Sequence, residues 1–140
     1  MTQEEILALK PGRELDIAVA IALMDYVWAT HMLQFSAEME VKWLASPEEL
    51  AEAGGVVIKV KEERLHTLKL REQYEESVAF YSKDPVAADA VWRKISALDA
   101  SWRKLNEDGS RLQSERWLVE CATYPEAVAK AALLEKNKNV

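Results

Sequence analysis

The chain has 140 residues, of which 49% are hydrophobic and 30% are charged. This length and balance are typical of a single globular domain and exclude a disordered chain. The net charge of −6 is spread along the sequence without a basic block, which argues against a nucleic-acid binder and against binding to an anionic membrane surface. The single cysteine, Cys121, cannot form an intramolecular disulfide, and the acidic N-terminus is unlike a signal peptide. We therefore expect a cytoplasmic protein.

The N-terminal quarter of the chain predicts two helices. Residues Thr2 to Leu9 form a short helix, because Thr2 and Glu5 have the spacing of a capping box. A turn at Pro11 follows. The apolar run from Leu15 to Trp28 has roughly 14 residues, short of the roughly 20 that are needed to span a bilayer. It is apolar on most sides, which predicts a helix buried at the centre of the core.

The middle of the chain predicts strands around one short helix. Residues 32–45 have an extended pattern, and Ser46 with Pro47 begins a helical turn. The stretch "VVIKVKEER" predicts a strand, because branched apolar residues alternate with lysines. Three segments follow: "LHTLKL", which pairs with that strand or continues it, "REQYEE", a turn or short helix, and "SVAFYS", a short central strand.

The C-terminal part predicts two more helices. Asp84 caps the first of them and Pro85 opens it. Thr123 and Glu126 begin the last helix with a second capping box.

Strands are predicted at residues 102–105 and in "RWLVECA", with a hairpin turn at Asp108-Gly109 between them. Helices interleaved with strands indicate an α/β fold, with α+β as the alternative. We predict one domain over residues 1–140, with a small mixed, largely antiparallel sheet sandwiched between helices.

Three blocks of the sequence resemble the phage ABA sandwich domain, a family of small phage and prophage proteins. The first block is the Arg-Glu-Leu-Asp motif after Pro-Gly, at residues 11–16, with the apolar helix to Met24. The second combines a Tyr-Ser dipeptide with an Asp at the start of an Ala-rich helix that carries an aromatic residue: Tyr81, Ser82, Asp84, Ala87, Ala88 and Trp92. The third is the closing helix "YPEAVAKAALL". The blocks occur in the family's order and span most of the chain.

The resemblance implies layers of helix, sheet and helix, and a phage or prophage source, hence the host cytoplasm. It supplies no catalytic residues, and we predict no cofactor. The segment 29–77 departs from the family pattern, because it is longer and richer in charge than its counterpart in the family. The structure of this middle segment is therefore left open by the resemblance.

The residues that most often carry chemistry are few. His31, His66 and Cys121 are too far apart in the sequence to form the close ligand pairs of a zinc site, and we predict no metal. Glu40 and Lys42 have the Glu-x-Lys spacing of metal-dependent nucleases, in which the carboxylate holds Mg²⁺ and the lysine supports the attacking water. Such a site also needs an aspartate on a neighbouring strand, whereas the nearest aspartates precede it on the apolar helix.

Two sets of residues are candidates for binding. Arg13, Glu14 and Asp16 lie near a helix start, where they either hold a ligand or simply complement the helix dipole. The second set combines tryptophan with arginine, a composition that is typical of binding hot spots, although arginine stems also cover tryptophan rings without any partner. We predict a binding surface at Trp102, Arg103, Arg116 and Trp117, with Arg111 nearby.

These observations leave three hypotheses on function. The favoured one is a non-enzymatic accessory protein that binds a host or phage protein. The second is a small-molecule binder, for example of a nucleotide-like ligand, which predicts a concave pocket of Trp or Tyr with convergent Arg. The third is the metal-dependent nuclease of Glu40 and Lys42. We also predict homo-oligomerisation, because exposed strand edges favour pairing.

Overall fold

The computed structural model describes residues 1–32 and 40–137. Its elements follow one another in the order α1 (Gln3–Ala8), α2 (Arg13–Ala22), β1 (Val27–His31), β2 (Val41–Ala45), α3 (Pro47–Glu52), β3 (Val57–Lys59), β4 (Lys69–Leu70), α4 (Pro85–Leu98), β5 (Arg103–Lys104), β6 (Arg111–Gln113), β7 (Leu118–Glu120) and α5 (Tyr124–Asn137). Short 3₁₀ turns lie at Glu62–Arg64 and Tyr74–Ser77. The predicted mixture of helices with largely antiparallel strands is confirmed, in the form of an α+β fold.

The elements form two compact units. The first unit combines Met1–Met24 with the chain from Ala79 onward, and the second unit is the continuous segment Asp25–Val78. Each unit has its own sheet, whereas the sequence predicted one sheet. The second unit corresponds closely to the segment 29–77, where the sequence departs from the family pattern.

In the first unit, α5 lies at the centre. It contacts α1, α2, α4, β6 and β7, and residues 127–134 are all buried. Four of these residues are alanines, whose small side chains allow other elements to approach closely from several sides. The prediction that the first long helix occupies the centre was therefore wrong: Ile21 of α2 is 47% exposed.

The helix α2 is also shorter than its apolar run. It ends at Ala22, and Asp25 then adopts a left-handed backbone with φ of 60°. The next residues, Val27–His31, form β1 instead of two further helical turns. Aspartate tolerates the left-handed conformation better than most residues, and β-branched Val27 and Thr30 favour a strand. The apolar run therefore combines a helix and a strand, which hydrophobicity alone does not separate.

The second unit is a four-stranded sheet in the order β3-β1-β2-β4. Antiparallel pairing joins β1 to both β2 and β3, and β4 pairs parallel to β2 with Val41 opposite Lys69. The prediction that "LHTLKL" pairs with the preceding strand or continues it was wrong, since its last residues pair with β2 and a 3₁₀ turn separates it from β3. The core of this unit is built on Ala29, Trp43 and Ala45.

The three-stranded sheet of the first unit is antiparallel, in the order β5-β6-β7. The predicted strand "SVAFYS" does not form. Ser77 ends the second 3₁₀ turn, an irregular stretch follows, and Tyr81 and Ser82 belong to a turn before α4. The Ser82 backbone N–H donates to the carboxylate of Asp16 at 2.7 Å instead of to a neighbouring strand.

The predicted helix starts are confirmed. The side chains of Thr2, Ser46 and Asp84 each accept a hydrogen bond from a backbone N–H of the first turn, and Thr123 does the same at the start of α5.

Candidate functional site

The predicted binding surface is only partly present, because Trp102 is buried. The residue is 5% exposed, and its indole N–H donates to Oε1 of Glu135 at 3.3 Å. Its ring therefore belongs to the interior of the first unit and has no face for a partner. The sequence could not distinguish a core tryptophan from a surface one at this strand start.

The other three residues of that surface remain accessible. Arg103 is exposed and donates to Oε1 of Gln113, its cross-strand neighbour, at 2.9 Å. Arg116 is exposed, and its guanidinium lies 5.5 Å from the ring centroid of half-buried Trp117. The Trp117 Nε1 is buried and has no hydrogen-bond partner within the described part of the chain. A polar hollow of about 460 Å³ next to Arg103 is lined by Ser101, Arg103, Gln113, Ser114 and Glu115.

The charged start of α2 holds the first unit together. Asp16 is completely buried, and its Oδ1 accepts hydrogen bonds from the Ser82 N–H at 2.7 Å and the Ser82 hydroxyl at 2.6 Å. Its Oδ2 forms an ion pair with Arg13 at 2.9 Å. The Gly12 N–H donates to the Ser82 hydroxyl at 2.8 Å. These residues bind one another. The structure therefore favours neither of the two predicted roles, which were to hold a ligand or to complement the helix dipole.

The proposed nuclease pair has a different environment from the one that a metal site needs. The Lys42 ammonium donates to the carbonyl of Leu65 and lies 5.3 Å from the ring centroid of Trp28. Within residues 1–32 and 40–137, no three His, Cys, Asp or Glu side chains are grouped so that they could hold a metal ion. The geometry of the described residues therefore gives the nuclease hypothesis no support.

The thiol of Cys121 is expected to be unreactive. The pKa of Cys121 is raised to about 11, mainly by burial and then by the negative charge of Glu126, whose effect is larger than the opposite effect of Lys130. The thiol is therefore protonated at neutral pH, which is the unreactive form.

The second unit contains an arginine that the sequence analysis missed. The guanidinium of Arg71 lies 5.8 Å from the ring centroid of Trp43, and the His31 ring lies 4.6 Å from the same indole. Together with Val41 these residues line a hollow of about 280 Å³, which we call the Arg71 hollow. Arg71 forms no ion pair with any residue that the structure describes.

A second hollow adjoins the first. It has a volume of about 420 Å³ and is lined by Val41, Leu70, Arg71, Glu72 and Gln73. Arg71 and Val41 line both hollows. The position of Arg71 is fixed by the backbone, because its N–H donates to the Lys42 carbonyl at 2.9 Å, directly after β4. Arg71 therefore lies between an aromatic hollow and a polar one.

Sequence reasoning missed this site because its residues are far apart in the chain. Trp43 and Arg71 approach each other only through the parallel pairing of β2 with β4. The one available signal was that Arg71 directly follows the apolar stretch "LHTLKL".

Comparison of the chain with protein-family models, with curated proteins and with solved structures found no match in any of the three. Among the described residues, no helix is both long and apolar enough to cross a membrane.

Proposed function

We propose that the protein is a non-enzymatic binding protein whose ligand is a small molecule with an anionic group beside a flat ring, such as a nucleotide. The observation that carries this proposal is the position of Arg71 between the two hollows, where it forms no ion pair with a residue of the described ranges. Guanidinium groups bind phosphate and carboxylate in a bidentate manner. The concave combination of Trp with a convergent Arg is also the feature that the small-molecule hypothesis predicted.

The walls of the Arg71 hollow suggest how such a ligand lies. Trp43 is only 3% exposed and forms the floor, so the ligand ring contacts mainly the half-buried side chains of His31 and Val41. The anionic group then meets the Arg71 guanidinium at the border of the second hollow. In that hollow, Glu72 and Gln73 offer hydrogen bonds to hydroxyl groups.

The test is a calorimetric titration with adenosine monophosphate, adenosine and inorganic phosphate. We expect the monophosphate to bind more tightly than either of its parts, and Arg71→Ala to weaken this binding about tenfold or more, in line with a charged hydrogen bond of about 1.5–3 kcal/mol. Lys69→Ala is the matched control, because it removes an exposed positive charge from β4, two residues before Arg71, without altering the walls of the hollow. If Arg71→Ala and wild type bind the monophosphate equally, or neither binds it, the proposal is wrong.

A second candidate function is binding of a host or phage protein. It is favoured by one cross-strand row on the three-stranded sheet, in which Arg103, Gln113 and Leu118 are neighbours and Leu118 is 50% exposed. Native mass spectrometry of the protein recovered from host lysate tests it. Leu118→Ser should release a co-purifying protein, whereas the control Leu98→Ser, at an equally exposed leucine of α4, should retain it. Equal loss from both variants would count against this surface.

We also infer a phage or prophage source and the host cytoplasm as location, together with the family relationship itself. These inferences rest on the three sequence blocks. In the structure, the first two blocks contact each other through Asp16 and Ser82.

A further inference from the structure

The side chain of Lys104 ends between two aromatic rings of the first unit. Its Nζ is 4.5 Å from the ring centroid of Tyr124 and 5.4 Å from that of Trp92. Tyr124 is the first residue of α5 and Trp92 lies within α4. The Tyr124 hydroxyl donates to Oδ1 of Asp89 at 2.7 Å. An ammonium group, two aromatic rings and a carboxylate therefore meet at one place on the surface.

The strand register explains why Lys104 reaches this place. Lys104 is opposite Leu112, and Leu112 is opposite Val119, so the three side chains form one row on the same face of the sheet. Leu112 and Val119 are buried, whereas Lys104 belongs to the edge strand and is exposed. A hydrophobic side chain at this position could also cover the rings. The position instead holds a cation, which aromatic rings attract through their quadrupole.

The Lys104 Nζ already occupies the position from which both rings are contacted. Burial raises the pKa of Tyr124 most, Asp89 raises it as well through its hydrogen bond and charge, and Arg93 lowers it. A second ammonium ion beside Lys104 would be repelled by the positive charge of that side chain. We therefore expect an ammonium ion that contacts both rings to take the place of the Lys104 Nζ.

We propose that Trp92, Tyr124 and Asp89 form a binding site for the quaternary ammonium group of a small molecule, and that Lys104 occupies this site in the unliganded protein. Methylated ammonium ions suit such a site because they are weakly hydrated and spread their charge over several methyl groups. The site lies in the first unit and does not depend on the Arg71 hollow. Its occupation by Lys104 makes the ligand compete with a tethered side chain.

The probe is choline, compared with its neutral tert-butyl isostere in which carbon replaces the quaternary nitrogen. The readout is the indole N–H signal of Trp92 in NMR titrations. We expect weak binding of choline to wild type and about 5- to 30-fold tighter binding to Lys104→Ala, because two exposed cation–π contacts no longer compete. The isostere should leave the signal unchanged in both proteins.

Two variants control this experiment. Arg103→Ala removes the same charge from the adjacent position of β5, where the side chain bonds Gln113 instead of a ring, and it should bind choline like wild type. Trp92→Leu in the Lys104→Ala background lacks the indole signal and is followed through the ring signals of Tyr124; it should abolish binding while the NMR spectrum keeps the dispersion of a folded protein. The proposal is overturned if Lys104→Ala binds choline no more tightly than wild type, or if the isostere binds as well as choline.

Discussion

Asp16 is the single residue whose loss we expect to damage the first unit most. Asp16→Ala leaves the Ser82 N–H without its buried acceptor and leaves the Ser82 hydroxyl with only the Gly12 carbonyl, at 3.2 Å. Unsatisfied buried groups and a broken ion pair lead us to expect a loss of about 2–4 kcal/mol in the free energy of unfolding. Urea denaturation followed by circular dichroism measures this loss. The control is Glu14→Ala in the same helical turn, where the side chain is exposed and the expected change is within about 0.5 kcal/mol. Similar losses in the two variants would contradict this account of Asp16.

Two features of the structure favour glycine at position 109: a left-handed backbone and the closeness of the Tyr124 ring. Its φ is 76°, and a Cβ added there would lie 2.5 Å from Cδ1 of Tyr124. Gly109→Ala should therefore lower the melting temperature through strain and through a shift of the Tyr124 ring, at a cost of about 2 kcal/mol or more. Gly54→Ala separates the two causes, because Gly54 has a φ of 62° with open space around it and should cost only about 1 kcal/mol. If both variants melt at the same temperature, the contact of the added Cβ with the Tyr124 ring does not contribute to the destabilisation.

Cys121 should react slowly with alkylating agents. Its pKa is raised from 9.0 to about 11 by burial, so the thiolate fraction at pH 8 is about 100-fold smaller than in the unfolded chain. Iodoacetamide labelling followed by mass spectrometry, in buffer and in denaturing urea, measures this ratio. The folded state retains the thiol proton over a pH range in which the unfolded chain releases it. Stability therefore decreases between about pH 9 and pH 11. Equal labelling rates in buffer and urea would show that the thiol is accessible and ionised.

At the residue scale, local chemistry could be predicted and distant contacts could not. The caps at Thr2, Ser46 and Asp84 depend on residues at most three positions away, so the sequence contains the whole interaction. Asp16 and Ser82 are 66 positions apart. The Arg71 hollow depends in the same way on a strand pairing that no local pattern indicates.

At the scale of elements, α5 should be the most protected segment of the first unit. Residues 127–134 are buried on all sides, so their amides should open only through extensive unfolding. By contrast, α3 has no buried residue and should exchange at least as fast as any other helix. Hydrogen exchange followed by mass spectrometry compares the two segments. Exchange in α5 as fast as in α3 would contradict a central position of this helix.

The errors in element prediction also have physical causes. Residues 15–28 are apolar throughout, and burial of either a helix or a strand produces that pattern. The boundary is set by Asp25, whose left-handed backbone a sequence does not reveal. Helix α5 was recognised, but its central position was not, because its alanines are less hydrophobic than the residues of α2.

At the scale of the whole molecule, the sequence predicted the fold class but not its division. The alternation of helices with short strands indicated an α/β protein, with α+β as the alternative, since those patterns are local. Two sheets arise because the strands between α2 and α4 pair with one another, and those after α4 pair separately. The ends of the second unit are joined within it, where the Tyr26 hydroxyl donates to the Ser77 carbonyl at 3.3 Å.

The 66 positions between Asp16 and Ser82 have a consequence for protein synthesis. At about 5–20 residues per second, the ribosome releases Asp16 several seconds before its partner, and α5 appears later still. All the strands of the second unit leave the exit tunnel during that interval, so we expect this unit to fold first. During this time the apolar side chains of α2 remain exposed, because the core of the first unit cannot form before α5 is synthesised. For those seconds, the nascent N-terminal helices are natural clients of chaperones.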